Sequence, residues 1–172
     1  KNSFKESEIS KLKNYSNKKI IGMGGSILGA KTIYSFCKSK IKKKNFFFID
    51  NLISKIKIKK KNYVTLIISK SGNTLETISN FNVILKKKTT NKNIFIIENK
   101  NNYLSKIAKE IKAEVFEHKN FIGGRYSVLS EVGMIPTDLM GLNVMKLKSM
   151  NNLIKKPKFI NTLCENVEKT LS

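Results

Sequence analysis

The sequence predicts an α/β protein, a three-layer αβα sandwich built on a five-stranded parallel sheet. Three observations point there. Short apolar runs alternate with longer amphipathic stretches, the order expected of βαβ units. The middle runs are apolar at successive positions, as strands covered by helices on both faces should be. The stretches between them carry helix-start residues and helical apolar spacing. At 172 residues the chain fits one ordinary domain, with room for at most a small second one.

Strands are expected at residues 19–23, 45–50, 63–69, 93–98 and 113–117, and helices at 27–38, 74–87 and 102–112. Each helix has a start signal. Ser26, Asn73 and either Asn101 or Asn102 are suitable N-cap residues, because their side-chain oxygens satisfy amides left open in a first helical turn. In the second helix Ile78, Phe81 and Leu85, with Val83 and Ile84, form the stripe that packs on a sheet. The lysine-rich connection 51–61 leaves room for a short helix. After the fifth strand a loop at 119–125 precedes a further helix within 126–142 that contains Pro136. Residues 159–171 give one more amphipathic helix, with Phe159, Ile160, Leu163, Val167 and Leu171 along one side. The expected organisation is a sheet domain over 1–145, followed at 146–172 by a linker and a helix leading to a second domain that this sequence lacks. The chain opens on Lys1 with no charged-then-apolar leader, so no secretory signal is read and the true N-terminus is expected to be missing.

Charge is the most conspicuous feature of the composition. There are 34 basic residues against 12 acidic ones, a formal net charge of +22. At face value this suggests nucleic acid or an anionic membrane. However, 33 of the 34 are lysine and only Arg125 is arginine, whereas base edges and phosphate forks favour the planar guanidinium. Lys, Asn and Ile number 33, 20 and 23, and all three are written in A/T-rich codons, so genome composition accounts for the excess. Neither nucleic acid nor membrane is expected as a partner. Apolar stretches such as 46–49 and 65–68 fall far short of the roughly 20 residues of a membrane helix. Cys37 and Cys164 form no C-x-x-C or cluster, so neither a disulfide framework nor a metal site is read, and a reducing, cytoplasmic setting fits.

In a parallel sheet, ligands bind beyond the carboxyl ends of the strands. Three segments placed there could carry chemistry. Gly22-Met23-Gly24-Gly25-Ser26-Ile27-Leu28-Gly29 either lets the backbone turn sharply and approach a ligand at a helix N-terminus or serves only close packing. It is not the dinucleotide fingerprint, since position 27 is Ile. Ser69-Lys70-Ser71-Gly72-Asn73-Thr74-Leu75-Glu76-Thr77 offers four hydroxyls, a flexible glycine and helix-end amides, a set that suits a phosphate monoester. Capping alone would need one hydroxyl. Phe121-Ile122-Gly123-Gly124-Arg125-Tyr126-Ser127-Val128-Leu129-Ser130 holds the one arginine, whose planar fork either faces an oxyanion or forms a structural ion pair. Glu76 either closes a capping box with Asn73 or faces the substrate. Asp50 reads as a cap, and His118, the sole histidine, as a surface or core-edge residue.

Together these segments resemble the glucose-6-phosphate isomerase (phosphoglucose isomerase) family, in particular its first sugar-isomerase (SIS) domain, with a flavodoxin-like fold. The first is similar to the family's G-x-G-G-S-x-L-G, and residues 68–77 to its I-S-K-[ST]-x-x-T-x-E-T phosphate loop. Residues 122–130 with Val132-Gly133 look like its G-G-R-[YF]-S-x-x-[ST]-x-x-G signature. The likeness spans about residues 18–142, the N-terminal portion of a complete member. It implies interconversion of glucose 6-phosphate and fructose 6-phosphate through ring opening and a cis-enediolate, without metal or organic cofactor. It also implies that Ser69, Ser71 and Thr74, with the Lys70 backbone, bind the phosphate, and that Gly25 and Ser26 line the sugar site. Arg125 would stabilise the enediolate oxygens, with Glu76 a second catalytic candidate. The family's glutamate base, ring-opening histidine and later lysine lie in motifs beyond this sequence, so the chain alone is expected to be inactive. A homodimer is implied for the full-length protein. The competing reading is a non-catalytic sugar-phosphate-binding SIS module, which would not need Arg125.

Overall fold

The computed structural model describes residues 4, 6–54, 63–85, 92–149 and 151–171. The chain divides into two compact units, Lys1–Leu142 and Asn143–Ser172. The first holds a five-stranded, all-parallel sheet of β1 (Asn17–Ile21), β2 (Asn45–Ile49), β3 (Tyr63–Ser69), β4 (Lys92–Ile97) and β5 (Glu114–Glu117), in the order β2-β1-β3-β4-β5. Its helices are α1 (Glu6–Ser10), α2 (Gly25–Phe36), α3 (Leu75–Leu85), α4 (Tyr103–Glu110) and α5 (Glu131–Met140). The predicted three-layer α/β fold is therefore present.

Strand periodicity assigns the two faces of the sheet. Ile21, Ile67, Phe95 and Ile97 share one face and pack with Phe81 and Ile84 of α3 and Leu104 and Ala108 of α4. Phe81 and Phe95 meet edge to face with centroids 5.3 Å apart. Ile20, Leu66, Ile68, Ile94 and Ile96 point the other way and are equally buried, toward the layer of α2 and α5. Every residue of α5 is buried, Pro136 included, which makes it the central helix of that layer. At the sheet edge, Tyr34 of α2 lies 5.4 Å from both Phe46 and Phe48 of β2, covering the outer strand with aromatic surface.

Several boundaries differ from expectation for local reasons. The first strand runs two residues earlier than predicted, because pairing continues back to Asn17 against both Asn45 and Tyr63. Ser26 is not the cap of α2. That helix starts at Gly25 behind Gly24, whose φ of +51° suits glycine. Asn73 does not cap α3 either; its side-chain oxygen accepts instead from the backbone N–H of Tyr103, at the start of α4. Asn102 is the cap of α4, closing a capping box with Ser105. On α3 the buried stripe is Thr77, Asn80, Phe81 and Ile84, leaving Leu85 exposed. Buried Asn80 accepts from Ile53 N and donates to Asn51 O, so it pins the turn after β2. Residues 51–54 are not helical, and the rest of the helix expected in that connection lies outside the described residues. The loop after β5 tightens into a 3-10 helix, Gly124–Leu129, before α5 begins.

The second unit contains α6 (Val144–Lys148), α7 (Asn151–Ile154) and α8 (Pro157–Leu171). Ile160, Leu163, Val167 and Leu171 of α8 are exposed. Among the described residues no helix is long and apolar enough to cross a membrane.

Lysine has also entered the sheet. Lys19 places its ammonium 3.8 Å from the centroid of the Tyr63 ring. Lys18 is fully buried beside Phe46, and its Nζ donates to the carbonyl of Tyr15. Burial, reinforced by repulsion from Lys44, pushes the Lys18 amine down to about 8. Because its pKa in the folded chain lies below the unfolded value, the charged amine opposes folding below pH 8. That penalty fades as pH rises from about 8 to 10.5, where the unfolded chain still binds the extra proton. Replacing Lys18 by Met is expected to raise unfolding free energy at pH 7 by about 1 kcal/mol or more. In urea titrations the gap between variant and parent should close between pH 8 and 10.5; a gap independent of pH would refute the assignment.

Candidate functional site

The strand order reverses between β1 and β3, so the crevice beyond their carboxyl ends is where this topology receives a ligand. The glycine-rich turn after β1 and the hydroxyl-rich turn after β3 both open there. Parallel pairing puts them side by side, and Gly22 lies against the carbonyl of Ile68.

The turn after β3 is organised before any ligand arrives. Ser69 is buried at the strand end, and its hydroxyl lies 2.9 Å from that of Thr74. Ser71 is exposed, with its Oγ accepting from Asn73 N, while Thr74 is half-buried. Gly72 has a φ of +66°, and a side chain on it would overlap the carboxamide of Asn102. The Gly72 carbonyl accepts from Leu104 N and that of Lys70 from Glu98 N, which fixes the turn to its neighbours on both sides. Because Asn73 is turned toward α4, no side chain among the described residues caps the amides of Leu75 and Glu76. Those amides precede the first intrahelical bond, from Ile78 N to Thr74 O, and stay open to an anion. Glu76 is exposed in the same turn, with no partner among the described residues and no capping box to Asn73. Thr77 is fully buried, so its hydroxyl belongs to the core rather than to the crevice.

The charge of Lys70 is already engaged. Its ammonium donates to the Asn120 carbonyl at 2.8 Å and lies 3.6 Å from Glu98, which Lys100 contacts at 2.9 Å. The hydrogen bond from Lys100, helped by the Lys70 charge, holds the Glu98 carboxyl below the usual carboxylate range against the opposing effect of burial.

The arginine segment is brought to the glycine turn by direct backbone contact. A side chain at Gly25 would overlap the Gly124 carbonyl and crowd the amide of Arg125, and one at Gly29 would press on Val128. Ser127 donates to the Gly124 carbonyl at 2.7 Å and faces that of Gly25 at 3.4 Å. Arg125 and Ser26 thus belong to adjoining segments, and the Arg125 side chain is exposed. Asp50 forms a 2.6 Å ion pair with Lys31. His118 is buried against Glu131, a partner too far along the chain for any local pattern to announce.

A cavity of about 520 Å³ lies elsewhere, lined by residues of the β4 and β5 ends and of α4, including Glu98, Lys100, Ser105, Lys109 and Glu117. It contains none of Ser69, Ser71, Thr74 or Arg125, and mixes carboxylates with ammonium groups. The hydroxyls of Ser69, Ser71 and Thr74 belong to the turn at the crevice instead. Among the described residues no group of His, Cys, Asp and Glu could hold a metal ion.

The family model for phosphoglucose isomerase matches residues 6–167. A probable glucose-6-phosphate isomerase of Methanococcus maripaludis is 32% identical over 91% of this chain and 38% of its own length. The glucose-6-phosphate isomerase of Methanocaldococcus jannaschii is 33% identical over 79% of this chain and 36% of its own. The chain therefore spans under two fifths of the length of these curated relatives. Among solved structures, a hypothetical protein of Thermus thermophilus superposes with a TM-score of 0.70 at 22% identity, covering 88% of this chain and 41% of that one, which supports the fold.

The glycine contacts yield a paired test. Gly25→Ala is expected to destabilise the chain by about 1–3 kcal/mol in urea unfolding, since its methyl has no space. Gly124→Ala, where a methyl meets open space, should stay within about 0.5 kcal/mol of the parent. Equal effects would show that the two segments do not approach as described.

Proposed function

The chain belongs to the phosphoglucose isomerase family, and from that premise we propose that it acts in the aldose–ketose isomerisation of glucose 6-phosphate and fructose 6-phosphate. The observation that carries this reading is the preorganised hydroxyl turn after β3, set at the switch point beside the segment that holds the only arginine.

In this reading the phosphate sits over residues 69–74. Ser71 and Thr74 donate from their hydroxyls, Ser69 orients Thr74 from beneath, and the open amides at the start of α3 complete the cradle. Lys70 contributes its backbone, because its ammonium is committed to Glu98 and Asn120. Gly25 and Ser26 form the floor on which the sugar rests. Arg125 reaches from its exposed position to the oxygens on which negative charge develops in the enediolate. There a preorganised guanidinium is worth far more than in water. Glu76 belongs to the rim of the same site. Residues 146–172 connect to the remainder of the enzyme, which supplies the proton-transferring groups and covers the apolar side of α8; as in the relatives' length, that remainder is the larger part. The complete protein works as a homodimer in the cytoplasm.

Calorimetry tests the phosphate assignment. Hydrogen bonds to a charged group contribute about 1.5–3 kcal/mol each. The double substitution Ser71→Ala with Thr74→Ala should therefore weaken glucose 6-phosphate binding by at least roughly tenfold, the lower end of what one such bond supplies. Unchanged affinity would remove the turn from the site. The 172-residue chain by itself should show no isomerase turnover, and substantial turnover would refute the division of labour proposed here.

A further inference from the structure

We propose that His118 and Glu131 form a buried clasp that sets the position of the Arg125 segment, making both positioning residues for the sugar side of the site. The proposal rests on the isomerase reading for its ligand, and on geometry for the clasp itself.

Both side chains are removed from water, with 1% and 2% of their surface exposed, although both are ionisable. Burying such groups is costly unless they are matched with partners. Here the partners lie at the two ends of one segment. Glu131 is the first residue of α5, where helix-end amides favour a carboxylate. Its Oε1 accepts from the backbone N–H of Lys119 at 3.4 Å and lies 3.4 Å from Nδ1 of His118. That nitrogen is also 3.1 Å from the Lys119 carbonyl. Two acceptors face Nδ1, so it is the nitrogen that carries the proton and donates. The backbone N–H of His118 donates in turn to the carbonyl of Ile97 at 2.7 Å, which anchors the clasp to β4.

The outcome is a closed neck. The segment from residue 119 to residue 130 leaves β5 and returns to α5 with its two ends fastened together, and Gly123, Gly124 and Arg125 sit in its middle. Internal bonds, from Ser127 to the Gly124 carbonyl and from Ser130 to that of Ser127, maintain the segment's own shape. They do not tie it to the sheet. The clasp does so on the β4 and β5 side, as Lys70 does through the Asn120 carbonyl. The second imidazole nitrogen, Nε2, is buried with no hydrogen-bond partner among the described residues.

The test exploits the composition of the chain, which has one arginine and one histidine. In the ¹⁵N-labelled 172-residue chain the Arg125 Nε–H gives a single side-chain resonance, and amide exchange reports on residues 119–126. His118→Asn keeps an amide nitrogen where Nδ1 stands, whereas His118→Gln moves it out to the place of Nε2. Glu131→Ala removes the acceptor. The Asn variant should keep the parent's exchange rates, its arginine resonance and, within twofold, its affinity for glucose 6-phosphate. The Gln and Ala variants should exchange at least tenfold faster over residues 119–126 and bind glucose 6-phosphate at least fivefold more weakly. Inorganic phosphate, gripped by residues 69–74 alone, should stay within twofold for all of them. The clasp is overturned if Gln and Asn behave alike, or if both ligands weaken in parallel with a general loss of stability. Absence of glucose 6-phosphate binding by the parent chain would instead refute the isomerase reading, and the exchange and arginine signals would then decide the clasp by themselves.

Discussion

The close approach of the start of α2 to the turn at residues 124–129 is the contact on which the rest of the site depends. Three glycines surround that turn. Gly25 and Gly29 on α2 lie against Gly124 and Val128, and Gly133 on α5 lies against the Val128 carbonyl. Each occupies a place that a Cβ would fill, so α2, the 3-10 turn and α5 close on one another backbone to backbone. This layer holds the Arg125 segment on its α2 side, against the glycine turn of β1, while the proposed His118–Glu131 clasp holds it on the β4 and β5 side. The hydroxyl-rich turn after β3 is tied in separately, through β1–β3 pairing and the fit of Gly72 against Asn102. Two segments thus meet at the switch point, each held by glycines against which a side chain would clash.

Electrostatics play a smaller part in this arrangement than the composition implies. Lys70, the lysine within the turn after β3, is held by Glu98, and Glu98 by Lys100. Lys18 is buried and Lys19 lies over an aromatic ring. What the turn presents to a dianion is hydroxyls and peptide N–H groups, which select by geometry. The net charge of +22 acts at longer range, raising the local concentration of anionic solutes. The same division runs through the segment at 119–130, where a buried acid and imidazole serve as fasteners while the guanidinium faces outward.

Much of this was legible in the order of residues. All five strands lay within a few positions of the predicted runs, and β3 matched its run end to end, because a strand buried at every position needs nearly uninterrupted apolar sequence. Asn102 was one of two candidates for its cap. The three segments proposed for the site stood out by their residue types: clustered glycines, clustered hydroxyls and the one arginine. Two cap assignments differed for separate reasons. Asn73 looks like a cap for its own helix, but its side-chain oxygen accepts from Tyr103 N, 30 residues on, at the start of α4. Ser26 yields to Gly24, whose positive φ lets α2 begin earlier.

By itself the sequence determined the fold class and the family, and it singled out the segments proposed for the site, because hydrophobic period and rare residue combinations are local properties of a chain. Tertiary structure decided how those segments meet. Gly25 could be seen as a glycine but not as the space that Gly124 needs, and His118 could not be matched with Glu131 by any periodic pattern. Such contacts follow from the order β2-β1-β3-β4-β5 and from the packing of α5 behind it, in which residues remote along the chain compete for the same few ångströms of space.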